Sequence, residues 1–72
     1  ERALPYLQKA FDTDPLNGEV SAALMRCHLE MGSRAGALKV FNKAKQILKK
    51  ELGIEPGTTL MALAREAGLK NP

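Results

Sequence analysis

The side chains that could do chemistry are few: one cysteine, Cys27, one histidine, His28, two aspartates in one short stretch, Asp12 and Asp14, and a run of lysines at Lys39, Lys43, Lys45, Lys49 and Lys50. A thiol beside an imidazole is the pairing that makes a nucleophile. On a helix, however, consecutive residues are turned about 100° apart, so Cys27 and His28 do not face each other. No serine, cysteine or second histidine stands at a spacing that would make His28 a base or a ligand. One cysteine and one histidine are too few for a structural zinc site, and a single cysteine forms no internal disulfide. Cys27 therefore reads as a buried side chain and His28 as a packing or groove-lining one. Asp12 and Asp14 have the beginnings of a cation loop, but the further oxygen ligands such a loop needs do not follow. They read as turn formers and helix caps. With no glycine-rich phosphate loop either, the expectation is a chain that is not an enzyme, with no cofactor, no metal and no small-molecule substrate.

These residues are positioned by elements that the apolar spacing predicts to be helices. Residues 1–13 carry Leu4, Leu7, Ala10 and Phe11 on one face, and Pro5 is tolerable there only in a first turn. Residues 12–18 read as a turn, since Pro15 forces Asp14 out of helical geometry. A helix over 19–31 follows, with Val20, Ala23, Leu24, Cys27 and Met31 as its apolar stripe and Gly32 placed to end it. The connection at Gly32, Ser33 and Arg34 is so short that the flanking helices must be antiparallel neighbours, and Ser33 suits the N-cap of the next helix. That helix is long, over 34–52, with Ala37, Leu38, Phe41, Ala44 and Leu48 inward. Gly53 stops it, Ile54 folds back on it and Pro56 blocks resumption. A last helix over 59–67, closed by Gly68, puts Leu60, Leu63, Ala64 and Ala67 on one side, and Lys70, Asn71 and Pro72 form a tail. Leu24, Phe41, Leu48, Leu52, Leu60 and Leu63 are the expected core.

The segment 18–49 resembles a tetratricopeptide unit, whose pattern runs Trp, Leu, Gly and Tyr on its first helix and Ala then Phe on its second over about 34 residues. Leu24 and the spacing of Ala37 and Phe41 agree with it, while Ser21, Met25 and His28 stand where the pattern has Trp, Gly and Tyr. A shift by the same period lays Ala3 on Ala37, Leu4 on Leu38, Leu7 on Phe41, Lys9 on Lys43 and Ala10 on Ala44. The expected fold is thus all-α: tetratricopeptide-like antiparallel helical hairpins with a C-terminal capping helix, four helices in one domain over 1–72. Residues 1–17 form the second helix of a preceding repeat and its turn, 18–52 a complete hairpin, and 57–68 the cap. A chain that opens midway through a repeat is expected to be a piece of something longer, because stacked units cover one another's apolar faces.

The chain has 72 residues and a net charge of +3, which allows an acidic or nucleic-acid partner without requiring one. No apolar run approaches the roughly 18 residues of a membrane span, and the N-terminus lacks the layout of a signal peptide. A cytoplasmic setting without membrane partners is the expectation, with the lone cysteine in keeping with a reducing compartment. Within the basic run, Lys39, Lys43 and Lys50 share a stripe that could meet phosphates or an acidic partner. The plainer alternative is a solvated face opposite Leu38, Phe41 and Leu48, and no aromatic or arginine is interleaved to read bases.

Residues 37–41, with Ala37, Leu38, Lys39, Val40 and Phe41, then 48–57, and then a short helix carrying Leu60 and Leu63 together resemble the C-terminal part of the bacterial transcriptional activator domain. That domain is the tetratricopeptide-like module of regulators such as those of antibiotic biosynthesis. Its most distinctive segment, Glu-Leu-Gly-(Val/Ile)-Glu-Pro, is intact here from Glu51 to Pro56. Gly57 stands where a serine cap is usual, and the opening Thr59, Leu60 and Met61 is less polar than the family's. The resemblance implies a non-enzymatic protein–protein interaction module of a transcriptional regulator. It would mediate self-association or contact with the transcription machinery, while an upstream winged-helix domain binds DNA. A general tetratricopeptide adaptor, holding a partner peptide in a concave groove lined by first-helix residues such as Arg26 and His28, is the alternative.

Overall fold

The computed structural model describes residues 3–68, so Glu1, Arg2 and the Lys70, Asn71 and Pro72 tail lie outside the described residues. Four helices follow one another: α1 Ala3–Thr13, α2 Gly18–Glu30, α3 Arg34–Leu52 and α4 Thr58–Glu66. Pro5 falls in the first turn of α1, where the backbone N–H it lacks would have had no helical partner. The turn after α1 is closed by the Asn17 amide donating to the Asp14 carbonyl at 3.1 Å. Asn17 then caps α2, its Oδ1 accepting from the amides of Glu19 at 3.0 Å and Val20 at 3.2 Å.

The connection between α2 and α3 is made largely by one residue. Gly32 takes φ 75°, a left-handed value that glycine reaches without Cβ strain. Its amide donates to the Leu29 carbonyl at 3.0 Å, and the Ser33 amide donates to the His28 carbonyl at 2.8 Å, which closes α2 with a Schellman motif. The same Ser33 opens α3, its Oγ accepting from the Gly36 amide at 3.2 Å and its carbonyl from the Ala37 amide at 3.1 Å. At the far end of α3, Gly53 adopts φ 67° and donates to the Lys49 carbonyl at 3.0 Å, while the Ile54 amide reaches the Leu48 carbonyl at 3.4 Å. Ser33 and Gly53 thus do what their positions predict. By contrast, the cap of α4, Gly57, offers no side-chain acceptor.

Packing is centred on α2. Among the described residues it is the one helix that packs on all three others, and α4 also touches α3. Leu24 and Met25 are 0% exposed, with Phe11 of α1, Phe41 of α3 and Leu60 and Ala64 of α4 in the same core. The whole is a slab with extents of 33 × 29 × 15 Å. Helices in this slab lie side by side, so each has two neighbours at most, save α2.

One expected core position, Leu52, and one residue expected in the apolar stripe of α2, Met31, prove to be surface. Leu52 is 55% exposed, and Met31 is exposed as well. Both lie at the last helical position or the cap beyond it, where the chain is already turning at Gly53 or Gly32 and no facing helix continues far enough to cover them. In addition, Ser21 is 1% exposed and its hydroxyl has no hydrogen-bond partner.

Two stability measurements follow from this packing. Leu24→Ala should cost about 2–5 kcal/mol by urea unfolding, whereas Leu52→Ala should stay within about 0.5 kcal/mol of the parent; similar losses would contradict the placement of Leu52. Ser21→Ala removes an unpaired buried hydroxyl and improves helix propensity, so it should leave stability unchanged or raise it by up to about 1 kcal/mol. A clear loss would mean that the hydroxyl has a partner.

Candidate functional site

An open hollow of about 870 Å³ lies between the N-terminal turns of α2 and α4. Its floor is partly apolar: Ala22, Ala23, Leu48 and Leu60 line it, with Leu16 and Ile54 at the edge. Leu16 and Ile54 are among the few large apolar side chains the chain leaves exposed. Arg26 supplies a cation to this lining, and Glu19 and Glu55 supply carboxylates. The arrangement is that of an apolar seat with mixed charge at its rim, the composition of a binding surface more than of a reaction centre.

A second hollow of about 230 Å³ lies on another side of α2, lined by Gln8, Phe11, His28, Gly36, Lys39 and Lys43 among others. Arg26 and His28 are two positions apart on one helix, hence roughly 200° around it. The structure therefore places them in different hollows, and a single groove using both would have to wrap around α2. His28 is instead brought together with Lys39 and Lys43, the lysines of the other candidate site, while Lys50 lies on α3 beyond either hollow. Lys43 has intramolecular company. Its ammonium lies 4.0 Å from the Asp12 carboxylate and 5.8 Å from the centre of the Phe11 ring, so its stem screens a core aromatic and ties α3 to α1. With both ends of the ion pair more than half exposed, the pair adds roughly 0–1 kcal/mol.

Gly36 is the position that sequence reasoning passed over. A Cβ built there would meet His28 Nδ1 at 2.5 Å and Ser33 Oγ at 2.7 Å. Glycine is thus what lets the imidazole of α2 lie against the backbone of α3. His28 Nδ1 is buried in that contact without a hydrogen-bond partner. His28, expected to pack or to line a groove at a position where the tetratricopeptide pattern has an aromatic, is set by the structure against Gly36 and also in the lining of the smaller hollow. The only local signal was a glycine one turn into a helix otherwise free of breakers.

Among the described residues no group of three or more His, Cys, Asp or Glu side chains is placed to hold a metal ion, and Cys27 is buried. No described helix is long and apolar enough to cross a membrane. The sequence profile of the bacterial transcriptional activator domain matches residues 1–67. The chain belongs to that family. No curated protein matches the chain, and no solved structure does.

The segment most distinctive of the bacterial transcriptional activator domain now has a physical reading. Gly53 supplies the left-handed turn, Pro56 is buried, and Leu52, Ile54 and Glu55 are exposed. The segment carries the chain from α3 to α4 and at the same time presents Ile54 beside the larger hollow.

Gly36→Ala tests the close approach. Helix propensity alone favours alanine by roughly 0.5–1 kcal/mol, but displacing the packed imidazole should cost about 1–3 kcal/mol. The expected net effect is destabilisation in wild-type protein, and a smaller loss when His28 is also alanine, the contact with Ser33 Oγ remaining. Thermal or urea unfolding of the four proteins of that cycle measures the coupling, and additive effects would refute the contact.

Proposed function

We propose that this chain is a protein–protein interaction module of a cytoplasmic bacterial transcriptional regulator, and that its larger hollow is the docking surface. Family membership over 1–67 supports the setting. The observation that carries the docking surface is the juxtaposition of exposed Leu16 and Ile54 with Arg26 around one concave seat. Exposed apolar side chains gathered at one concave site, rather than scattered singly, mark an interaction surface. Arginine, moreover, is among the residues enriched at the energetic centres of interfaces. The partner is a second copy of the regulator or a subunit of the transcription machinery, and sequence-specific contact with the promoter belongs to a winged-helix domain upstream in the parent protein.

The second reading is a general adaptor that takes an extended peptide into the same hollow. Arg26 favours it, since a guanidinium at the end of an apolar seat suits a peptide with an acidic residue next to an apolar one. Purified components separate the two. Sedimentation of the chain alone reads self-association, and immobilised chain against purified bacterial RNA polymerase reads the other partner. Arg26→Glu and Ile54→Asp should each weaken the operative contact by roughly 30-fold or more, the scale of a hot-spot residue. Binding unaffected by both substitutions would remove the hollow from the interface. A monomeric chain that ignores the polymerase would sink the regulator reading and leave the adaptor.

A further inference from the structure

We propose that the solvent face of α3 binds the phosphate backbone of duplex DNA without regard to sequence. On a helical wheel Lys39, Lys43, Lys45, Lys49 and Lys50 fall within an arc of about 160°, and all five are exposed. The centre of that arc holds Asn42 and Gln46, which also hydrogen-bond phosphate oxygens. The only carboxylate on the helix, Glu51, lies about 80° outside it.

A solvated helix face does not require this pattern. Such faces normally intersperse signs, because a carboxylate three or four residues from a lysine stabilises the helix by about 0.2–0.5 kcal/mol and a like charge destabilises it by a similar amount. No lysine of α3 has a carboxylate at either spacing, while Lys39 with Lys43 and Lys45 with Lys49 are like-charged pairs four apart. The helix dipole accounts for Lys49 and Lys50 in the last turn, but not for the three before them. One carboxylate outside the helix, Asp12, partly offsets Lys43. That leaves Lys39, Lys45, Lys49 and Lys50 facing water uncompensated within the described residues.

Geometry selects the partner. From Lys39 to Lys50 the face runs roughly 16 Å at 1.5 Å per residue, the axial span of about five phosphates on one strand of a duplex. A membrane surface is a poorer fit, because an interfacial helix must bury an apolar side in lipid, and here Ala37, Phe41, Ala44 and Leu48 are already covered by the protein. Base reading is absent as well: Phe11 and Phe41 are buried, and Tyr6 lies on α1. The inference rests on the charge of α3 and not on the docking reading of the hollow.

Fluorescence anisotropy of the whole chain with two labelled short duplexes of unrelated sequence provides the test. Both should bind alike, and affinity should fall roughly 40- to 150-fold between about 50 and 200 mM salt, as three or four phosphate contacts dictate. The combined Lys39→Gln, Lys45→Gln, Lys49→Gln and Lys50→Gln variant should lose binding while keeping its helical circular dichroism, and the corresponding four-arginine variant should retain it. The proposal is overturned by no binding at low salt, by a glutamine variant that binds like wild type, or by strong preference for one duplex. Capture by anionic phosphatidylserine vesicles or polyglutamate in preference to DNA overturns it equally. A hollow variant such as Ile54→Asp should bind DNA normally, which separates this result from the fate of the interaction surface.

Discussion

Everything in this chain depends on α2 being covered by three helices. A helix of 13 residues is marginal alone in water, and α1 and α4, at 11 and 9 residues, are shorter still. None persists without tertiary burial. Leu24 and Met25 are sealed because α3 lies along one flank and α1 and α4 complete the enclosure. Small side chains make this possible: Ala22 on α2, Ala37 and Ala44 on α3 and Ala64 on α4 are all buried, and each lets a neighbouring backbone come near. Gly36 carries the same principle to its limit, with no side chain at all where His28 crosses.

Local chemistry was legible in the sequence, and contacts between distant residues were less so. The ends of α3 were placed correctly because Ser33 caps through its own hydroxyl and Gly53 terminates through its own φ, both properties of one residue in one turn. Most of the buried stripe of α3, Ala37, Phe41, Ala44 and Leu48, followed from 3.6-residue spacing, with Val40 buried where Leu38 was expected. Leu52 was misplaced for the complementary reason. Periodicity reports which way a side chain points, but not whether a facing element extends far enough to meet it. The fit of His28 against Gly36 joins two helices, and neither residue announces it alone.

The candidate surfaces divide along the same line. Arg26 and His28 were grouped because both belong to the first helix of the hairpin, yet a helix has more than one side, and α1 and α4 pack on different sides of α2. The larger hollow depends on where α4 is carried by residues 53–57, a matter of tertiary geometry that composition cannot supply. The lysine face needed no such information. Its pattern is internal to α3, and the structure adds the reason it stays exposed, namely that the opposite side of that helix is committed to the core.

The Ser33 junction has a consequence for how the hairpin comes apart. Its amide ends α2, while its hydroxyl and carbonyl begin α3, so the two helices share a terminus as well as an interface. Fraying from this end is therefore not an independent event in either helix: releasing the last turn of α2 frees the residue that holds the first turn of α3, and the reverse. The hairpin is in these terms one cooperative opening unit, joined at its bend. Slow hydrogen exchange would accordingly extend right up to the bend, a place where most connections between helices are the first to open.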